Sequence, residues 1–336
     1  MRKNFLFALA FVSVVALSLL LAVNVSYADG DASPLPESTP SPAFSAPSET
    51  ASAEPSAPSP PVPTPFSFVW LGDTQTAAWN ESMALYSMGC WIADNREKEN
   101  IVHVVQTGDM VENGFKQPEW DAFYSCYDRF AGVIPYITVN GNHDIGVKLQ
   151  DPSVYTCQRF LDEIPKEQQF QDGRAVYELF SAGGTDFIIL GIGYGAEVLA
   201  NRWARETLQS YPDRVAILLF HDYLHPRYGL YYTGQFLYHR VVARCPNVKL
   251  VLCGHYRGTS FRTDEFDDSG DGVPDRTVHT MLFNFQGYKR YNAQMRLLTF
   301  HPEDRSITVN TFNTMIDRTY KDDTLKQNPF TIENAY

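Results

Sequence analysis

The sequence predicts a mixed α/β fold with two stacked sheets, and three observations lead there. From Phe66 onward, short apolar runs alternate with longer amphipathic stretches, the pattern of parallel strand–helix–strand crossovers. From about Thr277 the apolar runs are separated by turns alone, which adds antiparallel strands without further long helices. The 336 residues are 44% hydrophobic and 20% charged, so the chain has ordinary globular composition. Its 27 Lys and Arg against 39 Asp and Glu give a net charge of -12. That balance excludes broad, sequence-independent nucleic-acid binding, and no stable nucleic-acid complex is expected.

The elements run in order along the chain. Arg2 and Lys3 precede an apolar stretch, Phe5 to Val23, and Ser26-Tyr27-Ala28 supplies the small residues of a cleavage site. This is the layout of a secretory signal peptide over residues 1–28; the alternative is an uncleaved membrane anchor. Either way the protein is expected outside the cytoplasm, secreted or tethered to membrane or cell wall. Residues 29–65 are expected to be a disordered linker. Between Asp31 and Pro65 there are 8 Ser and 11 Pro in 35 positions, too little apolar surface to offset ordering entropy. The folded domain is expected over residues 66–336. Its strands are Ser67–Leu71, Ile101–Gln106 and Ile134–Val139, with helices Glu81–Lys98 and Pro118–Phe130 between them. Ala175–Ser181 and Thr185–Leu190 read as a hairpin. Helix Glu197–Ser210 leads to strand Val215–Phe220, and helix Thr233–Arg244 to strand Val248–Cys253. Thr277–Phe285, Met295–Phe300 and Ser306–Phe312 complete the strands. Of the five cysteines, Cys90 and Cys126 fall in two helices that can be neighbours, and a bridge between them is the first expectation.

The residues just past each strand are chemically unusual. Asp73 and Gln75 come after the first; Gly108, Asp109 and Asn113 after the second; Gly141, Asn142, His143 and Asp144 after the third. His221 and Asp222, then Gly254, His255 and Arg257, succeed two later ones. Sites in such folds form beyond the carboxyl ends of the strands. Carboxylate, amide oxygen and imidazole together suit a divalent transition metal such as Mn, Fe, Co or Zn. A carboxylate such as Asp109 can bridge two ions about 4 Å apart that clamp a phosphate.

These blocks resemble the calcineurin-like metallophosphoesterases. That family carries Asp-x-His, Gly-Asp, Gly-Asn-His-Asp/Glu, an isolated His and Gly-His-x-His. The matches are Gly72-Asp73-Thr74-Gln75, Gly108-Asp109 with Asn113-Gly114, Gly141-Asn142-His143-Asp144, His221, and Gly254-His255-Tyr256-Arg257. The resemblance implies a four-layer α/β/β/α fold and hydrolysis of a phosphate mono- or diester by a metal-bound water. It implies one metal on Asp109, Asn142, His221 and His255. A second would use Asp73 and Asp109 with two further residues, which here are Gln75 and Arg257, so one or two ions per chain are expected. Arginine has no acceptor and cannot ligate. Three readings of Arg257 stand: it binds substrate phosphate, it points away, or the site is inactive. The resemblance also gives His143 as general acid, against a plainer role in ordering its loop. The alternative function is a catalytically weak or inactive binding module displayed on a spacer.

Other patterns are weaker. Gly191-Ile-Gly193-Tyr-Gly195-Ala196 fits a dinucleotide fingerprint formally but reads as a turn. Asp267–Asp275 resembles the start of a calcium loop, with structural Ca²⁺ against a solvated loop as the two readings; Val278 stands where a bidentate Glu is needed. The stretch from His225 to Tyr232 is aromatic enough to wall a pocket, although core packing is the commoner use.

Overall fold

The structure is a computed structural model that describes residues 63–145, 158–171, 173–287 and 292–336. The expected signal peptide, the Ser/Pro-rich segment as far as residue 62, and Cys157 lie outside the described residues. The first half of the domain comprises β1 (Phe66–Leu71), α1 (Gln75–Asn80), α2 (Ser82–Asn95), β2 (Ile101–Gln106), α3 (Gln117–Tyr127), β3 (Tyr136–Thr138), α4 (Gln158–Leu161), β4 (Gln169–Phe170), β5 (Ala175–Ala182) and β6 (Thr185–Ile192). Next come α5 (Glu197–Ser210), β7 (Val215–Phe220), β8 (Leu224–His225), β9 (Gly229–Leu230), α6 (Tyr232–Arg240) and β10 (Val248–Cys253). The chain ends with β11 (Gly258–Phe266), β12 (Arg276–Asn284), β13 (Gln294–His301), β14 (Ser306–Asn313), β15 (Arg318–Thr319) and β16 (Phe330–Ile332).

Two large mixed sheets result. One runs β15-β14-β13-β1-β2-β3 with β16 also on β14, the other β11-β12-β10-β7-β6-β5-β4. Strands β1, β2 and β3 are parallel, as are β6, β7, β10 and β12, and the remaining pairings are antiparallel. The two-residue period of the second sheet divides its side chains between two cores. Ile217 and Leu219 of β7 join the core shared with the first sheet, while Ala216, Leu218 and Phe220 face the helix layer of Ala200, Ala204, Leu208 and Leu237. On the far side, Leu85, Met88 and Ile92 of α2 and Trp120 and Phe123 of α3 pack on the first sheet's core. The four-layer α/β/β/α expectation is met.

Several local expectations are corrected. The helix expected to begin at Glu81 is preceded by a separate one, α1, and Glu81 itself leaves helical geometry at φ -136° and ψ 48°. The helix expected to Arg244 ends at Arg240, where Val241 turns out to φ -124°. Strand β11 carries no expectation at all, because it lies at the edge of its sheet and its polar run from Arg262 to Glu265 reads as loop. The Cys90–Cys126 bridge is absent: both thiols are free, as are Cys245 and Cys253. The helices do meet, but through Gly89, where an added Cβ would lie 2.4 Å from the Cys126 carbonyl oxygen. Burial, and then the neighbouring Cys90, raise the Cys126 thiol to about 12.

One polar pair sits inside the apolar interior. Arg296 on β13 and Asp322 are both fully buried and joined at 2.8 Å, with the guanidinium also packed 5.0 Å from the Phe283 ring centre. Asp322 further accepts the backbone N–H of Thr324 and Leu325. Removing one partner strands the other charge away from water. Asp322→Ala should therefore lower stability by about 3–5 kcal/mol, read by urea denaturation of the full chain. A loss below ~1 kcal/mol would show that the pair is dispensable.

Candidate metal centre

The parallel strands end level with one another: Gln106 pairs with Thr138, and Cys253 with both Phe220 and Leu282. The loops after β2 and β3 in one sheet, and after β7 and β10 in the other, therefore reach a common edge. Four side chains converge there. Asn142 Oδ1 lies 3.1 Å from His221 Nε2 and 2.9 Å from His255 Nδ1. The two imidazole nitrogens are 3.2 Å apart, and Asp109 Oδ1 is 3.3 Å from His221 Nε2. Two donors about 2.1 Å from one ion and at right angles are separated by about 3 Å, so these spacings fit a site that could hold one metal ion. Among the described residues, Asp109, His221 and His255 are the only His, Cys, Asp or Glu trio brought together in this way.

The proton inventory also calls for a cation. His221 Nδ1 donates to the Thr107 carbonyl oxygen at 2.7 Å, which leaves Nε2 as a lone pair in the neutral ring. Asn142 Oδ1 and the Asp109 carboxylate are acceptors too, so lone pairs face one another. Burial alone would lower the His221 pKa, but Asp109 and then Asp73 raise it to about 10. The two carboxylates thus surround His221 Nε2 with negative charge, and a divalent ion would satisfy all four donors at once. At Asp109 burial opposes ionisation, yet His221 and the His143 backbone N–H hold its pKa below the ordinary value.

Backbone strain aims the ligands. Asp109 at φ 51° and His255 at φ 68° both sit in the left-handed region, which costs a non-glycine residue about 1–3 kcal/mol. Their neighbours must be small. A Cβ at Gly141 would fall 2.1 Å from Asp109 Oδ1, and one at Gly254 2.1 Å from Asp73 Oδ1.

Beside this group, Asp73 and Gln75 flank Asp109. Both Asp73 oxygens accept the His255 backbone N–H, at 3.2 and 3.0 Å, and burial pushes its pKa well up. Gln75 Nε2 donates to Asp109 Oδ2 at 3.0 Å, while its Oε1 is buried without a partner. As oriented, the amide turns its N–H₂ and not its oxygen toward Asp109. His143 is partly exposed; its Nδ1 lies 2.9 Å from the Glu112 carbonyl oxygen and 3.6 Å from the Glu112 carboxylate. Arg257 is exposed and lies against Gly287, where an added Cβ would be 3.3 Å from Nη1. The structure thus brings Asp109, Asn142, His221 and His255 to one point, sets Asp73 and Gln75 alongside, and leaves His143 and Arg257 at the rim.

Four supporting residues are not among those the sequence singles out as ligands. Asn284, fully buried at the end of β12, donates to Asp73 Oδ2 at 2.6 Å and to the His255 carbonyl oxygen at 3.1 Å. Asp144 accepts the backbone N–H groups of Met110, Val111 and Gly141, tying the two ligand loops together; burial, then Asp109, lifts its pKa to about 7. Thr107 anchors His221 through its carbonyl oxygen. Tyr194 lies 6.0 Å from the His221 ring and 5.9 Å from His255, so the glycine-rich turn at 191–195 serves to place this tyrosine. Asn284 ends an apolar strand, and the sequence holds no signal that marks its contact with Asp73. By contrast, Asn113 is taken by Glu119 at 2.9 Å and shapes its loop.

The calcium reading of Asp267–Asp275 meets a different structure. Asp267 accepts the backbone N–H of Gly270 and Gly272, Asp275 that of Asp268 and Ser269, and Asp268 pairs with Arg276 at 2.6 Å. The carboxylates thus accept the hydrogen bonds of the turn itself, which is the solvated-loop reading.

YvnB of Bacillus subtilis (strain 168), an uncharacterized protein, is 35% identical over 268 residues, which is 76% of this chain and 20% of YvnB. Purple acid phosphatase 23 of Arabidopsis thaliana is 27% identical over 127 residues, 36% of this chain and 26% of that protein. The chain therefore spans about a quarter or less of the length of these relatives. The purple acid phosphatase PPD1 from yellow lupin (Lupinus luteus) seeds shares the fold at TM-score 0.52 and 15% identity, over 80% of this chain and 54% of that one. The sequence profile of the calcineurin-like phosphoesterases matches residues 66–256. With more than half of its length matched and the ligand loops inside that span, the chain belongs to the calcineurin-like phosphoesterase family.

Proposed function

We propose that the protein is an exported, metal-dependent phosphoesterase that hydrolyses a phosphate mono- or diester. The observation that supports this most directly is the convergence of Asp109, Asn142, His221 and His255 with neighbouring donor atoms 2.9–3.3 Å apart. A divalent cation held there supplies water activation and charge neutralisation. The chain's own residues do the rest. Arg257, exposed at the rim, offers a fork of donors to phosphate oxygens. His143, oriented through Nδ1 by the Glu112 carbonyl, holds a proton at Nε2 for the departing ester oxygen, and the Glu112 carboxylate at 3.6 Å steadies the charged ring. Thr107 and Asp144 keep the ligand loops in place.

The test is hydrolysis of p-nitrophenyl phosphate and bis(p-nitrophenyl) phosphate by protein stripped with chelator and reloaded with Mn²⁺, Fe²⁺ or Zn²⁺. Turnover of one ester that depends on reloading is the expected result. Failure with every ion would favour the binding-module reading, for which Arg257 in place of a fourth imidazole is the motive. Export rests on the Arg2-Lys3 and Phe5–Val23 pattern; a secreted protein whose first residue is Asp29 is the outcome that supports it.

A further inference from the structure

We propose that the hairpin β8–β9 and the start of α6 form a stacking subsite for a flat aromatic ring on the alcohol side of the substrate, a nucleobase or an aryl group. This rests on the phosphoesterase reading above. A chain of ring contacts leads out from the metal ligand. His255 meets Tyr256 at 4.5 Å, Tyr256 meets His225 at 4.5 Å, and His225 meets Tyr228 at 4.5 Å. Tyr231 lies 6.0 Å from both His225 and Tyr228, and Tyr232 lies 4.3 Å from Tyr231. The outer three rings are open to solvent, with Tyr228 62%, Tyr231 38% and Tyr232 75% exposed. Contiguous exposed aromatics of this kind are a cost to a soluble surface and mark interaction sites.

The platform is fixed before any ligand arrives. His225 Nδ1 accepts the backbone N–H of Arg227 at 3.0 Å and of Tyr228 at 3.2 Å, which locks both the turn and the imidazole plane. Leu224 and His225 pair with Leu230 and Gly229 across the hairpin. Tyrosines so held present large, rigid faces at little entropic cost. The chemistry selects a π ring over a sugar. The segment from His225 to Tyr232 carries no carboxylate and no carboxamide, the groups that would bind sugar hydroxyls; its one cation is Arg227, and the carboxylate at the inner end of the platform, Asp222, is engaged by Tyr256. Tilted rings at 4.3–6.0 Å offer offset and edge-on stacking.

The experiment compares the metal-loaded full chain with a Tyr228→Ala, Tyr231→Ala, Tyr232→Ala variant on adenosine 5′-monophosphate, phenyl phosphate and glycerol 3-phosphate. Circular dichroism checks that the fold is kept. The variant should lose about 10- to 100-fold in kcat/KM on ring-bearing esters, chiefly through KM, and nothing on glycerol phosphate. Loss on adenosine monophosphate alone identifies a base; equal loss on phenyl phosphate identifies the aryl ring. Equal loss on glycerol phosphate, or no loss on any ester, overturns the proposal. A second readout needs no turnover: adenosine should quench tyrosine fluorescence saturably in the unmutated protein and not in the variant. Absent quenching beside intact hydrolysis removes the subsite alone, and quenching without hydrolysis of any ester removes the phosphoesterase reading alone. Saturable binding of methyl glucoside in place of adenosine also overturns it.

Discussion

Asp109→Asn should empty the metal centre and cost turnover well beyond the about 10–100-fold loss typical of changing an outer partner, while the fold survives. The Asp109 carboxylate does three things at once. Its Oδ1 accepts the His143 backbone N–H at 3.0 Å and faces His221 Nε2 at 3.3 Å, and its Oδ2 accepts Gln75 Nε2 at 3.0 Å. An amide has one oxygen and two N–H groups, so either Gln75 or His143 would be met by another donor, or the ion itself would be. The anionic charge that offsets the cation would go as well. The fold should persist because Asp109 lies past the end of β2 and outside both apolar cores. Elemental analysis, hydrolysis of an aryl phosphate and a thermal melt read the three parts separately. Gly141→Ala is the companion variant: it removes no ligand, yet its Cβ would sit 2.1 Å from Asp109 Oδ1 and displace the carboxylate. If either variant keeps full metal and full activity, the ion is not held where the four donors converge.

The loops that converge on this point were legible in the sequence because their signal is local. A polar residue directly after an apolar strand, with glycine beside it or close by, reports both position and purpose, and Asp109, Asn142 and His255 carry it in full. The residues that support them are written across greater distances. Asn284 reaches Asp73 from 211 positions away, and nothing in Phe283-Asn284-Phe285 distinguishes that contact from an ordinary strand end. The layers were legible from periodicity, but β11 was not, since Arg262, Thr263, Asp264 and Glu265 leave an edge strand looking like solvated loop. The acidic loop at 267–275 joins β11 to β12, as its solvated-loop reading has it, and the alternative calcium reading rests on composition alone. Composition counts carboxylates without saying who already holds them, and here backbone N–H groups and Arg276 do. The cysteine bridge failed: two helices were placed side by side correctly, but the contact between them belongs to Gly89.

Arg257→His should raise tightly bound metal from about one ion per chain toward two, because the second position is nearly built already. Asp73 and Asp109 supply its carboxylates, and Asp73 is held in place by the His255 backbone N–H and by Asn284 at 2.6 Å. Gln75 points Nε2 at Asp109 Oδ2 and leaves Oε1 buried without a partner. Turning that amide over about its last bond would present the oxygen, in place of Nε2, to a cation beside Asp109 Oδ2, with no change in shape. What the position lacks is a neutral donor from the loop after β10, where the chain offers a guanidinium. That group adds repulsion and no lone pair. Arg257 is exposed and rests on Gly287, so a smaller imidazole replaces it without disturbing either core. The measurement is metal content after gel filtration in Mn²⁺, together with a spectroscopic signature of two coupled ions in the variant. Two tight ions in the unmutated protein would overturn this account of Arg257. One ion in both proteins would mean that Asp73 and Gln75 do not form a second site even when a fourth donor is supplied.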